Sequence, residues 1–155
     1  MRTIILAISA AVLAACTTSS VPTSQSAEDF MWCYTKAWNA HDTDTLGREY
    51  WQLTDSVETE IARLEATFEQ MTAAGYERST IHEILACAAG DDMAVAHMRY
   101  TRYLSSGEVM GPEMRATNYL LDWEDERGWR IRGVFPADVD APPACDLTLL
   151  PEKEA

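Results

Sequence analysis

With 155 residues, 47% of them apolar, the chain has material for one ordinary hydrophobic core. Its 25 acidic residues against 12 basic ones leave a formal net charge of −13. Such a surface repels phosphate backbones and anionic headgroups, which excludes nucleic acid as a partner and leaves the fold open.

The first segment reads as a targeting signal, with an ordinary secretory signal or an uncleaved membrane anchor as the competing readings. Arg2 supplies a single positive charge, Thr3 to Val12 is a short apolar run, and Leu13-Ala14-Ala15-Cys16 follows. This resembles a bacterial lipoprotein signal peptide ending in its lipobox. The apolar run is too short for a spanning helix, which needs about 20 residues. The resemblance implies removal of residues 1–15 and acylation of Cys16, the palmitate-bearing N-terminus of the mature protein. Loss of Arg2 takes the charge from −13 to −14. Thr17, where an aspartate would favour retention in the inner membrane, implies sorting to the outer membrane with the domain facing the periplasm. Residues 16–27 form the lipidated cysteine and a Ser/Thr-rich, uncharged tether. Its eleven residues after Cys16 reach roughly 36–40 Å when extended.

The folded domain is expected over residues 28–136. Ser26 is the expected N-cap of a first helix, with Glu28 and Asp29 in its first turn. Phe30, Cys33, Tyr34, Ala37, Trp38 and His41 recur at helical spacing along one stripe. Asp42 to Asp44 breaks that pattern and can cap a short second helix over residues 45–50. Asp55 with Glu58 approximates a capping box for a third helix. Val57, Ile61, Leu64, Phe68 and Met71 form its stripe, and Gly75 is placed to end it in a left-handed turn.

Strands follow. Residues 79–89 could be helical by spacing, but they run through Gly90-Asp91-Asp92 directly into residues 93–104, so a hairpin is predicted. Further strands are predicted over residues 115–123 and 129–135. Period-2 alternation puts His82, Ile84, Ala86 and Ala88 on one face of the first strand, opposite Ile81, Glu83, Leu85 and Cys87. It puts Trp129, Ile131 and Phe135 together on the last, with Arg130 and Arg132 behind. Residues 137–155 form an irregular, acidic, proline-rich tail.

Helices followed by an antiparallel meander is an α+β pattern. The helix carrying Ala37-Trp38-Asn39-Ala40-His41-Asp42, the short helix after it, and the closing Gly128-Trp129-Arg130-Ile131 together resemble the nuclear-transport-factor-2-like superfamily, over about residues 27–135. Within it the nearest likeness is to the ketosteroid-isomerase and SnoaL-like polyketide-cyclase branches. The resemblance implies N-terminal helices packed in a strongly curved, cone-shaped antiparallel sheet with a pocket inside. It also implies use of the convex face for a homodimer.

Candidate chemistry is sparse. The isomerase branch needs a carboxylate base and an acidic donor deep in the cone, and no position here matches that motif residue by residue. His82 is the candidate acid/base, because its face is otherwise apolar and imidazole exchanges protons near neutrality. The competing reading is a histidine held by backbone or tyrosine. His41 reads as a helix-end residue and His97 as an exposed one. Tyr34, Trp38, Met98, Tyr100, Tyr119 and Trp123 are the expected ligand-pocket lining. No metal site or cofactor is predicted, since the histidines are scattered and no Cys-x-x-Cys, nucleophile elbow or phosphate loop occurs. Of the cysteines left after Cys16 (Cys33, Cys87 and Cys145), Cys145 is the one expected to be tied down in an oxidising compartment, its partner open. The reading that follows is an envelope lipoprotein, anchored through Cys16, that binds a small apolar ligand or another protein without catalysis. The alternative is an isomerase, cyclase or dehydratase using His82.

Overall fold

The computed structural model of the protein describes Cys16 and residues 20–152. The predicted signal segment, residues 1–15, and residues 17–19 of the predicted tether lie outside the described residues. The elements run α1 (Ser24–Asn39), α2 (Thr43–Thr45), a π-turn (Leu46–Tyr50), α3 (Val57–Ala73), β1 (Tyr76–Ala89), β2 (Met93–Leu104), β3 (Arg115–Glu124) and β4 (Gly128–Pro136). The strands form one antiparallel meander in the order β1-β2-β3-β4. The free edge of β4 is partly covered, because Trp51 bridges Ile131 in parallel and Gln52 N–H donates to the Ile131 carbonyl at 3.0 Å.

Each helix starts where a short polar side chain can take up free amides, though two of the caps differ from expectation. Thr23 caps α1, and Ser26 closes a reciprocal box with it: Thr23 Oγ1 accepts from Ser26 N–H at 3.0 Å, and Ser26 Oγ accepts from Thr23 N–H at 2.9 Å. Ser56 caps α3 through Thr59 N–H at 3.1 Å, displacing the expected Asp55–Glu58 box. Asp42 caps the short second helix as expected, accepting from Thr45 N–H at 3.0 Å. Gly75, at φ +91°, ends the third helix in the left-handed region that glycine adopts without strain.

The helices lie on one face of the sheet. Tyr34 from α1 meets Tyr119 from β3 edge-on at 5.8 Å and Trp51 at 5.8 Å, while Trp38 meets Phe68 of α3 at 4.6 Å. Trp38 Nε1 donates to the Tyr76 hydroxyl at 3.0 Å. Asn39 pairs its side-chain amide with both backbone groups of Ser79, each at 2.8 Å, and so docks the end of α1 on β1. A Cβ on Gly47 would meet Ile61 Cγ1 at 2.6 Å, so only glycine lets the π-turn approach α3 this closely.

The sheet register shifts at three places, and both corrections to the predicted strand faces follow from two of these β-bulges. In β1, Ile81 pairs with Tyr100 and Glu83 with Arg99, so His82 is the extra residue. Ile81 and Ile84 therefore share the helix-facing side, and His82 turns outward. In β4, Leu120 pairs with Gly133 and Leu121 with Ile131, so Arg132 is extra. Val134, opposite Tyr119, takes the inner place expected for Phe135.

The outer sheet face is covered by the chain itself. Over residues 137–152 the tail is irregular except for a 3-10 turn at Leu147–Leu149. Cys145 is disulfide-bonded to Cys87, with Cα atoms 6.1 Å apart. Arg99 donates to the carbonyls of Val139, at 3.0 Å, and of Ala141. Beneath this layer His97 is only 3% exposed, its Nδ1–H donating to Asn118 Oδ1 at 2.9 Å. The expectation of an exposed His97 fails because the tail packs over its neighbours Leu85, Cys87 and Arg99.

Candidate ligand cleft

Five of the six residues expected to line a pocket converge on one cleft. Tyr34 and Trp38 of α1, Met98 and Tyr100 of β2 and Tyr119 of β3 enclose about 120 Å³ together with Trp51, Ile81, Arg102, Thr117 and Val134. Their convergence follows from local rules. Tyr34 and Trp38 are four apart on one helix face, while Met98, Tyr100 and Arg102 are alternate residues of one strand. Trp123 lies elsewhere, packed edge-on against Trp129 at 5.2 Å.

The polar groups of the cleft are hydroxyls and one guanidinium. The Tyr100 hydroxyl lies 3.2 Å from Thr117 Oγ1. Burial pushes the Tyr34 phenol well above its ordinary pKa, reinforced by the neighbouring Tyr119 hydroxyl. Burial likewise pushes Tyr119 up, with Tyr100 adding to the effect. Both phenols are therefore neutral O–H groups at any physiological pH. Trp51 presents a buried Nε1–H with no partner among the described residues, and Arg63 stacks its guanidinium 5.0 Å from the Trp51 ring centroid.

The histidines stand outside this cleft. His82 is exposed on the outer face. The Thr101 hydroxyl gives its proton to the Glu113 carbonyl at 2.6 Å, so His82 Nε2, 2.8 Å from the same oxygen, is a donor to it. His41, at φ +53°, stacks on Tyr76 at 5.6 Å and donates from Nε2 to the Glu77 carbonyl at 2.8 Å. Among the described residues, no three His, Cys, Asp or Glu side chains gather in a metal-binding group.

A larger groove of about 530 Å³ runs between α1, the π-turn and the β3–β4 hairpin, lined by Phe30, Cys33, Tyr50, Trp123 and Trp129, with Asp29 and Glu49 on the same lining. Cys16 forms part of its wall and is disulfide-bonded to Cys33, with Cα atoms 5.7 Å apart. This pairing was not anticipated, and it competes for the sulfur that acylation would consume.

Sequence reasoning missed Glu60, which sits on the buried side of α3 at 1% exposure. One carboxylate oxygen accepts from both Leu53 and Thr54 N–H at 2.9 Å, and the other takes Arg63 Nε at 2.8 Å. It ties the loop after the π-turn to α3 and so fixes Trp51 at the cleft. Only its i, i+3 spacing from Arg63 hinted at a role.

No family model and no curated protein matches the sequence. Solved structures do match. An NTF2-like protein with a cystatin-like fold from Novosphingobium aromaticivorans aligns at TM-score 0.53 and 15% identity, covering 81% of this chain and 88% of that one. Aln2 from a Streptomyces species aligns at TM-score 0.52 and 14% identity, covering 74% of this chain and 90% of that one. At these identities the likeness shows the fold alone: the α+β, nuclear-transport-factor-2-like (NTF2-like) architecture expected from the sequence.

Proposed function

We propose that this chain is a lipid-anchored protein of the bacterial envelope whose domain holds a small, largely apolar ligand in the cleft between α1 and the sheet. The convergence of Tyr34, Trp38, Met98, Tyr100 and Tyr119 on that cleft supports the reading. Its size, near that of a cavity of roughly 150 Å³ known to take up benzene, limits the ligand to a single ring or a short chain. The groups facing it are donors and neutral hydroxyls. The acid–base candidate, His82, lies on the opposite sheet face, which favours binding over turnover. Val134, at the cleft and well exposed, allows a direct test. Toluene-sized probes should raise the melting temperature of the wild type and lose that effect in Val134→Trp, which fills the cleft. Failure of any such probe to stabilise the wild type would sink the reading.

The anchor rests on Leu13-Ala14-Ala15-Cys16, and outer-membrane sorting with a periplasm-facing domain rests on Thr17. One sulfur cannot carry a lipid thioether and a disulfide together. Cys16→Ser should release the protein from membranes. In the anchored wild type Cys33 should react with maleimide without reduction, and an unreactive Cys33 in that fraction would count against acylation.

A further inference from the structure

Arg102 stands apart from the other arginines of the domain. Arg48, Arg63, Arg127 and Arg132 pair with carboxylates, Arg99, Arg115 and Arg130 donate to backbone carbonyls, and Arg78 donates to the Thr80 hydroxyl. Among the described residues the Arg102 guanidinium has no oxygen partner. It lies 5.8 Å from the Tyr76 ring centroid and 5.6 Å from that of Tyr100, and its Nε is buried without a hydrogen bond. The register places it opposite Ser79 on the helix-facing side of the sheet, in the wall of the cleft. Its charge reaches the hydroxyls of Tyr76 and Tyr119, where it opposes the upward push of burial on both phenols.

A part-buried guanidinium held only by ring faces keeps its donor fork free of protein acceptors. That planar fork matches a carboxylate in two parallel hydrogen bonds, and the match strengthens where water is scarce. We propose that Arg102 is the anion-recognising residue of the cleft, which takes a small apolar molecule ending in a carboxylate, of benzoate size. The Tyr and Trp rings would hold the body of the ligand, with Arg102 on its charged end. This inference rests on the cleft being a ligand site and adds the chemical class of the ligand.

The test compares benzoate with benzamide and toluene, probes of one shape and different charge, by calorimetric titration of the folded protein. Wild type should bind benzoate at least tenfold more tightly than benzamide. Arg102→Met should abolish that preference, and Arg102→Lys, which keeps the charge without the planar fork, should fall between. The wild-type comparison stands even if Arg102→Met fails to fold. Equal binding of benzoate and benzamide to the wild type, with toluene also bound, overturns the carboxylate assignment and leaves the cleft as an apolar site. Binding of none of the three removes both.

Discussion

Trp129 Nε1 donates to Ser26 Oγ at 2.9 Å, a contact between the start of β4 and the first turn of α1 that spans 103 residues of chain. The same oxygen closes the capping box with Thr23 and lies 2.9 Å from the Val21 carbonyl. Ser26→Ala would therefore leave the Thr23 cap in place, remove the hydrogen bond to Thr23 N–H, worth about 0.5–1.5 kcal/mol, and leave a buried indole N–H unpartnered, a further cost of about 1–3 kcal/mol. We expect a loss of about 2–3 kcal/mol in urea unfolding. A loss under about 0.5 kcal/mol, the range of ordinary surface changes, would show that the junction does not stabilise the fold.

Glu60 predicts a graded series. Alanine leaves the Leu53 and Thr54 amides unsatisfied and should cost about 3–5 kcal/mol, as expected when one side of a buried charge network is removed. Glutamine retains one acceptor and the shape, and should cost about 1–2 kcal/mol. Equal losses for the two variants would mean that the carboxylate is not what fixes the loop.

Four tyrosines, Tyr34, Tyr50, Tyr76 and Tyr119, have their phenol pKa raised chiefly by burial. A raised folded value means that the native state holds its protons after the unfolded chain has lost them. The associated stability is complete below the unfolded value of about 10 and is lost as pH rises from there through the folded values. Phenolate absorbance at 295 nm should therefore appear in two stages, with Tyr34 and Tyr119 ionising together with loss of near-ultraviolet circular dichroism. Full ionisation of all six tyrosines in a still-native protein would contradict this packing.

His82→Ala should be nearly silent. Thr101 keeps its bond to the Glu113 carbonyl, and the imidazole lies on the exposed bulge, so the stability change should stay within about 0.5 kcal/mol. Binding of toluene-sized probes should not change. A substantial loss of ligand binding in this variant would place the site on the other side of the sheet.

Cys145→Ser should loosen the tail. The bridge to Cys87 closes a loop of 58 residues in sequence, and removing such a cross-link costs about 2–4 kcal/mol. Limited proteolysis should then cut within residues 137–152 of the variant and spare the wild type under the same conditions. Equal protection would mean that the Arg99 contacts alone hold the segment.

These residues also show what can be read from the chain without coordinates. The strand over residues 93–104 and the pocket positions Tyr34, Trp38, Met98, Tyr100 and Tyr119 were legible because side-chain period and backbone period agree there. The faces of His82 and Phe135 were not, because a bulge adds one residue without a sequence mark such as proline, and every later side chain on that strand then changes sides. His97 was misread for another reason. Its burial depends on the tail, a segment far away in sequence with no periodicity of its own. Glu60 illustrates the third limit, since a buried carboxylate is recognised by the amides that it meets, and those belong to a loop of irregular conformation.

The covered outer face has a consequence for assembly. A sheet that is bare on one side can be matched by a second copy arriving from solution, but here the site is already held by a segment on a covalent tether. Such a segment acts at a local concentration on the order of millimolar, far above that of a partner molecule in dilute solution. Pairing through this face would first have to expel the tail, so the Cys87–Cys145 bond sets the competition between folding back and self-association. Sedimentation of the Cys145→Ser protein, which should dimerise at lower concentration than the wild type if the tail is the competitor, measures it directly.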